Sequence, residues 1–426
     1  VSKAASVLSP ETWPFHVHWL PPDAYLVGGN VRDALLGRQA DYLDLDFVLP
    51  HGAVETAKAI ANHYRAGFVV LDAERQIARV VFHQATADFA LQVGDSIDAD
   101  LKQRDFTVNA IAYHPSSQTL FDPLQGCADL QQHQIRMIAP RNLEDDPLRL
   151  LRAYRQAAQL GFWLDAETRH TIQRLSHLLK AIAAERIQSE LNYLLGAPDG
   201  IPFLGMVWED GLLQDWLPHT TRRHLDGIAQ MDQAVVALQQ HFPTLAAELT
   251  NWPRDQQNVS GIGRSWLRVA KLANLVSSDG ETAEAELWRL KYSRIEVQSV
   301  VTLVRHRDAL PLFAKQGMTA REQFYLFRAV GSTFPALVMV AMADGVSLEA
   351  IAPLIERFLT DDDAIAHPKP LLSGRDLMRQ LDLPPSPRIG QLLEAIQIAQ
   401  AEGQIATAAD ALRWARSHLK SVDDCG

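Results

Sequence analysis

Near residue 143 the hydrophobic period of the chain changes, and that change limits the fold more than any other feature. Between residues 23 and about 140, short runs rich in Val, Phe, Tyr and Ile are separated by turn residues: YLVGG, LDLDFVLP, AGFVVLD, ARVVFHQ, ADFALQV and VNAIAYHP. These read as strands. RDALLG and AVETAKAIANHY between them have helical spacing. From LEDDPLRLLRAYRQAAQLGF (143–162) onward, apolar residues recur at i, i+3, i+4 and i+7, as in ETRHTIQRLSHLLKAI and ERIQSELNYLLG. The pattern predicts an α+β head with a mixed sheet over 1–140. A helical neck over 141–200, a helical body over 201–360 and a helical tail over 361–426 follow. Breaks are expected at 196–202, 258–265 and 361–374. No repeat of fixed period is present.

A chain of 426 residues, 47% of them hydrophobic, can bury more than one core. Its 40 Lys and Arg against 51 Asp and Glu give a net charge of −11. That excludes a uniformly basic nucleic-acid coat and leaves room for a local basic groove. Two cysteines, Cys127 and Cys425, give no disulfide framework and fit a reducing compartment. They read as a small core filler and a tail residue. The opening VSKAASVLSPETWPFHVHWLPP lacks a signal-peptide pattern, and no stretch reaches the roughly 18 uninterrupted apolar residues of a membrane span. A soluble, cytoplasmic protein with no membrane partner is expected.

The densest chemical signal is YLVGGNVRDALLGRQADYLDLDFVLP, residues 25–50. A strand enters a Gly-Gly turn and a helix begins just after it. Gly28 and Gly29 allow close backbone approach to a ligand. The N–H groups of the helix start can receive phosphate, and Arg32 can add a bidentate contact. A lone Gly-Gly turn is more often only a turn. Asp44 and Asp46, however, flank Leu45 in DLDF. On a strand alternate residues share a face, so both carboxylates point the same way. Such a pair repels itself unless a cation joins it. Mg²⁺, which prefers carboxylate and phosphate oxygens, is the expected ion. Held there, it can activate a 3′-hydroxyl and stabilise leaving pyrophosphate. A bare DxD is usually a solvated strand end; after GGNVRDALLG at this distance it is not.

Taken together, GGxVRDxLLG followed by DxD resembles the head of the class II tRNA nucleotidyltransferases and bacterial poly(A) polymerases of the polymerase-β superfamily. Four further blocks stand in the family's order: QRDFTVNAIAY (103–113), FDPLQGCADLQQHQIR (121–136), LEDDPLRLLRAYRQAAQLGF (143–162) and ERIQSELNYLL (185–195). Residues 371–412 are similar to a tail found in some members. The resemblance implies template-independent addition of nucleotides from CTP and ATP to a tRNA 3′ end. It makes Asp44 and Asp46 the catalytic metal ligands. It places Gly28, Gly29, Arg32, Arg104, Asp105 and Asn109 around the triphosphate and ribose. Asp88 is a candidate third carboxylate, whereas Asp122, Gly126 and Asp129 read as turn and cap residues.

Base choice falls to DDPLRLLRAYR. A helix is expected to start near Asp145, with Pro147 in its first turn and Asp146 and Arg149 neighbours three residues apart. An isolated Asp-x-x-Arg is usually a surface ion pair. Here it matches the family's Glu-Asp-x-x-Arg amino-acid template, with Asp145 in place of Glu. Asp146 can accept from the exocyclic amine of cytosine or adenine, and Arg149 can donate to ring acceptors. Uracil and guanine offer a carbonyl instead, a mismatch of about 1–3 kcal/mol. Arg152 and Arg155 are expected to continue a basic stripe toward the triphosphate. The body and tail are expected to grip the acceptor arm and elbow of tRNA by shape and phosphate contacts. No single cation among Arg174, Lys180, Arg186, Arg222, Arg223, Arg264 and Lys271 stands out for that task.

Members that add the terminal A usually carry a long polar loop between the strand after DxD and the RDFTxNA block. Here only LQVGDSID intervenes. The family association of loop loss with CC addition favours an enzyme that adds two cytidines and stops. Complete CCA addition, poly(A) synthesis and a catalytically inactive RNA-binding module are the alternatives. No His-Asp dipeptide of a phosphohydrolase domain occurs, and the 15 His lack ligand spacing, so no structural zinc is expected.

Overall fold

The computed structural model describes residues 7–38, 42–197, 199–250 and 264–423. They fall into two units that divide between Asp215 and Trp216.

The first unit opens with a mixed sheet. Its strands are β1 (Tyr25–Leu26), β2 (Leu43–Leu49), β3 (Gly67–Asp72), β4 (Ile77–Val81), β5 (Ala85–Leu91), β6 (Ala112–His114) and β7 (Thr119–Phe121). They lie in the order β3-β4-β5-β2-β1-β6-β7. β2 and β5 run parallel, while the other neighbours are antiparallel. A parallel pair needs a long crossover. The helix Ala53–Tyr64 and the β3–β4 hairpin supply it.

Strand alternation sorts the residues of β2, β4 and β5. Leu45, Phe47, Leu49, Ala78, Val80, Ala87 and Phe89 are buried. Trp13 packs edge-on to Phe47 at 5.2 Å, Phe47 stacks on Phe89 at 5.3 Å, and Phe15 closes over both. Each fully buried Leu or Phe contributes about 1.5–3 kcal/mol. That burial fixes the register, because a one-residue slip would put every one of these groups on the wrong face. The residues between them, Asp44, Asp46, Arg79, Thr86 and Asp88, are therefore committed to the opposite face. The expected strand VNAIAYHP is shorter than its apolar content suggests. Thr107–Asn109 is a 3₁₀ turn, and pairing starts only at Ala112.

The helices of this unit are α1 (Gly29–Leu35), α2 (Ala53–Tyr64), α3 (Ile97–Leu101), α4 (Gly126–Gln131), α5 (Pro140–Asp145), α6 (Leu148–Leu160), α7 (Ala166–Leu175), α8 (Ala184–Gly196) and α9 (Gly200–Glu209). A small parallel pair, β8 (Gln134–Ile135) and β9 (Trp163–Leu164), ties the segment before α5 to the turn after α6. Asp122 caps α4, accepting from the N–H groups of Gly126 and Cys127 at 2.7 and 2.8 Å. Asp129 is instead buried against Thr107 and Arg136.

One expectation is corrected here. No continuous helix carries Asp146 and Arg149 on one face. α5 ends at Asp145, and Asp146 is extended, with φ −137° and ψ 90°. Pro147 disfavours helical geometry in the residue before it and lacks the N–H that would continue α5. Asp145 thus closes one helix rather than opening the next.

The described part of the second unit is helical: α10 (Arg222–His241), α11 (Pro243–Thr250), α12 (Trp266–Leu275), α13 (Gly280–Arg289), α14 (Arg294–Arg305), α15 (Ala309–Gln316), α16 (Ala320–Val330), α17 (Phe334–Ala343), α18 (Leu348–Phe358), α19 (Gly374–Leu381), α20 (Pro387–Ala401) and α21 (Ala408–Asp423). Among the described residues one helical run, Ala320–Ala343, is long and apolar enough to cross a bilayer. Its second half, α17, is buried from Phe334 to Ala341 in the core of this unit. Leu377, Leu392, Ile396, Ala411 and Ala415 form a smaller core shared by α19, α20 and α21. Breaks fall as expected between α8 and α9 and between α18 and α19. Most of the expected break at 258–265, and Cys425, lie outside the described residues.

Candidate active site

The polar face of the sheet gathers carboxylates by register alone. In the parallel β2–β5 pair, Asp44 stands opposite Thr86 and Asp46 opposite Asp88. On the far side of β5, Arg79 stands opposite Asp88. Thr86 donates its hydroxyl proton to Asp44 Oδ1. Arg79 grips Asp88 in bidentate fashion, Nε to Oδ1 and Nη2 to Oδ2, both at 2.7 Å. Among the described residues Asp46 has no such cation in contact. Burial, then the charges of Asp44 and Asp88, push its carboxyl from the ordinary 3.8 up to about 7, against the pull of Arg104 and Arg79.

The glycine corner stands directly over this acid. Gly28 has φ +89°, a backbone that side chains resist. A Cβ there would lie 3.2 Å from Asp46 Oδ2 and 3.9 Å from Arg104 Nη1. Gly28, Asp46 and Arg104 thus border one small space. Arg104 is steadied by Asp100 at 3.1 Å. Arg32 donates to Asn109 Oδ1 at 2.7 Å and pairs with Asp33 at 2.9 Å. Asn109 in turn donates to Asp105 Oδ1 and Gln156 Oε1, each at 2.9 Å. Of the predicted residues, Gly28 and Arg104 border Asp46, while Arg32, Asn109 and Asp105 form a hydrogen-bonded chain with Gly29 beside Arg32.

A second group lies where α5 breaks into α6. Asn142, buried, donates its amide to the carbonyls of Lys102 (2.7 Å) and Arg104 (2.6 Å). Arg149 Nη1 donates to the carbonyls of Gln103 (3.0 Å) and Asn142 (2.9 Å). The two segments carrying Arg104 and Arg149 are thereby stapled together. Asp146 and Arg149 do not form a side-chain pair; Asp146 is held by Arg186 at 2.9 Å. Burial works to raise the Asp146 carboxyl, but Arg186, the Leu148 N–H and the charge of Arg149 outweigh it and hold the group below its ordinary range. Two buried donors in this region, Arg149 Nε and Arg152 Nε, have no hydrogen-bond partner among the described residues, though Arg152 Nε lies 3.8 Å from Glu190 Oε1.

Arg152 and Arg155, the expected stripe, each have a partner within the chain. Arg152 Nη1 reaches Asp105 Oδ2 at 3.3 Å, but Arg155 bonds Glu190 at 2.5 Å and lies over the Tyr193 ring at 5.3 Å. Arg155 is a brace between α6 and α8. Sequence reasoning missed Arg79, Thr86, Asn142, Gln156 and Glu190. The first two had a signal, since Arg79 and Thr86 fall on the acid-bearing face once strand register is drawn. The others make contacts set by tertiary packing.

Two open carboxylates suit an oxygen-seeking divalent ion that takes its remaining ligands from water and phosphate. Arg79 occupies both oxygens of Asp88, so Asp44 and Asp46 are the available donors. The raised Asp46 carboxyl marks negative charge that a cation would relieve.

Residues 24–136 match the poly A polymerase head domain, and residues 161–223 match the probable RNA- and SrmB-binding site of polymerase A. Residues 264–415 match a putative tRNA nucleotidyltransferase domain 2. A CC-adding tRNA nucleotidyltransferase of Synechocystis sp. is 48% identical over 410 residues, 96% of each chain. An A-adding tRNA nucleotidyltransferase of Deinococcus radiodurans is 33% identical over 93% of this chain and 96% of that one. A CCA-adding enzyme solved in complex with ATP shares the fold, with a TM-score of 0.72 and 20% identity over 93% of this chain and 91% of that one.

Proposed function

The chain belongs to the tRNA nucleotidyltransferase family, and on that premise we propose that it adds two cytidines from CTP to the 3′ end of tRNA and stops. The observation that carries the chemistry is the position of Asp46, whose Oδ2 would lie 3.2 Å from a Cβ placed on Gly28, with Asp44 on the same strand face. Restriction to two cytidines rests on the 48% identity to a CC-adding relative and on the short connectors of the sheet, 73–76, 82–84 and 92–96. They leave no long polar loop to re-aim the base reader toward ATP.

In this reading Asp44 and Asp46 hold Mg²⁺, which when bound neutralises triphosphate charge and makes the primer 3′-hydroxyl easier to deprotonate. Thr86 orients Asp44. Gly28 and Gly29 bring backbone close to the phosphates, and Arg32 and Arg104 supply positive charge beside them. Asp105 and Asn109 face the ribose. Asp146 accepts from the cytosine amine, and Arg149 has a buried Nε donor with no hydrogen-bond partner among the described residues. Uracil leaves Asp146 facing a carbonyl, at a cost of about 1–3 kcal/mol. Residues 1–140 thus carry the chemistry and 141–200 choose the base. The helices of 201–360 and 361–426 hold tRNA, and the work is cytoplasmic.

The test offers purified protein a tRNA lacking its last three residues, with CTP and ATP separately and together. Addition of two cytidines and no adenosine is expected. Three added nucleotides would make the protein a CCA-adding enzyme, and addition only to a tRNA already ending in two cytidines would make it A-adding. Long adenosine tails would favour poly(A) synthesis, and RNA binding without incorporation an inactive module.

A further inference from the structure

The carboxylate read above as the cytosine acceptor is held by a residue that plays no part in that reading. Arg186 donates Nη2 to Asp146 Oδ2 at 2.9 Å across forty residues of sequence. Asp146 needs such an anchor. It lies in the extended break between α5 and α6, outside any helix, and its own local contact is a long 3.4 Å bond from the Leu148 N–H to Oδ1. Arg186 lies in the first turn of α8, and one turn later on the same helix Glu190 holds Arg155 at 2.5 Å and stands 3.8 Å from Arg152 Nε. Residues i and i+4 share a face. One face of α8 therefore grips the break before α6 with a cation and α6 itself with an anion.

We infer that Arg186 is a positioning residue for base selection, which fixes the Asp146 carboxylate so that its open lone pairs face an exocyclic amine. The inference rests on the reading of Asp146 as the base acceptor. An ionised carboxylate offers about four acceptor sites. Arg186 takes one of them on Oδ2 and leaves others for cytosine. Discrimination against uracil requires that the acceptor stay where the amine belongs. A carboxylate that rotates or hydrates no longer penalises the uracil carbonyl. The same salt bridge favours the ionised form of Asp146, the form that cannot donate to that carbonyl. Lysine at this site keeps the charge but loses the planar fork, so it should hold the acid with a looser aim.

The experiment compares kcat/KM for CTP and UTP, and KM for tRNA, in wild type, Arg186→Ala, Arg186→Lys and Asp146→Ala. Thermal melting checks folding, and the half-exposed Arg186 tolerates truncation. Arg186→Ala should lower the CTP-to-UTP preference about tenfold, the scale of one mispaired base contact. KM for CTP should rise more than kcat falls, and KM for tRNA should hold. Arg186→Lys should recover part of the preference. An unchanged preference with a raised KM for tRNA would make Arg186 an RNA contact and overturn the inference. An equal loss for both nucleotides would make it purely structural and overturn it as well. If Asp146→Ala destroys the preference while Arg186→Ala spares it, the inference alone fails. If Asp146→Ala itself keeps the preference, the underlying reading of Asp146 fails instead.

Discussion

Replacing Asp46 with asparagine should abolish nucleotide addition and, at the same time, make the metal-free protein more stable. Three carboxylates share one sheet face, and Asp46 stands between Asp44 two residues away on its strand and Asp88 across the parallel ladder. Its carboxyl is pushed up to about 7 by burial and by those two charges. In the unfolded chain it returns to about 3.9. Between those values the unfolded state gives up its proton while the folded state keeps it. Stability is therefore lost as pH rises from about 4 to about 7, and the full penalty stands above pH 7. About three pKa steps at 1.36 kcal/mol each set a ceiling of roughly 4 kcal/mol. Asparagine keeps the shape and removes the charge, so a gain of about 2–4 kcal/mol at pH 8 is expected, shrinking toward zero near pH 4. Urea unfolding with a chelator present, followed on the transition of the unit ending at Asp215, measures it. Mg²⁺ added back should stabilise wild type and leave the variant unmoved. The reasoning is refuted by a variant less stable than wild type at pH 8. A gain equal at pH 4.5 and pH 8 would refute it too.

Gly28→Ala meets both a positive φ and a carboxylate oxygen at 3.2 Å. It should cost about 1–3 kcal/mol of stability and reduce kcat/KM for CTP by about a hundredfold, measured by single-nucleotide extension. Asn142→Ala removes the amide bonds to the carbonyls of Lys102 and Arg104. A loss of about 2 kcal/mol by urea melt is expected, with a raised KM for CTP because the segments bearing Arg104 and Arg149 come unstapled. Arg79→Ala uncovers Asp88 beside Asp46. The added uncompensated charge should tighten the dependence of activity on Mg²⁺, so that half-maximal activity shifts to higher metal concentration at low pH, read from a Mg²⁺ titration at pH 6 and pH 8.

Much of the head was legible because strand alternation is a strong rule. Leu45, Phe47 and Leu49 must be buried together, so Asp44 and Asp46 must emerge together. Asp88 and Arg79 follow the same rule, but only once the pairing of β2 with β5 and of β5 with β4 is known. That pairing is non-local, and a run such as ADFALQV does not announce its neighbour. Helical spacing likewise located α6 and α8 and said nothing of which charged residues they would exchange. Arg155 reads from the sequence as a cation facing the triphosphate; its pairing with Glu190 on another helix is a tertiary contact that spacing does not announce.

The break at Asp146 shows how a local rule and a site interact. A proline inside a run of good helix formers usually begins a helix, and DDPLRLLRAYR reads that way. With α5 already in place upstream, the same Pro147 instead ends one helix and starts another. The consequence is chemical. In a continuous helix Asp146 and Arg149 would neutralise each other at i, i+3 and have less to offer a base. With Asp146 extended, Arg149 is anchored to backbone carbonyls and Asp146 to Arg186, so acceptor and donor are kept apart and each retains capacity for a partner. Replacing Pro147 with alanine should favour a continuous helix. The two side chains should then pair, weakening CTP binding and narrowing the preference over UTP, both measurable by extension kinetics. An unchanged preference in that variant would mean that the break does not serve base selection.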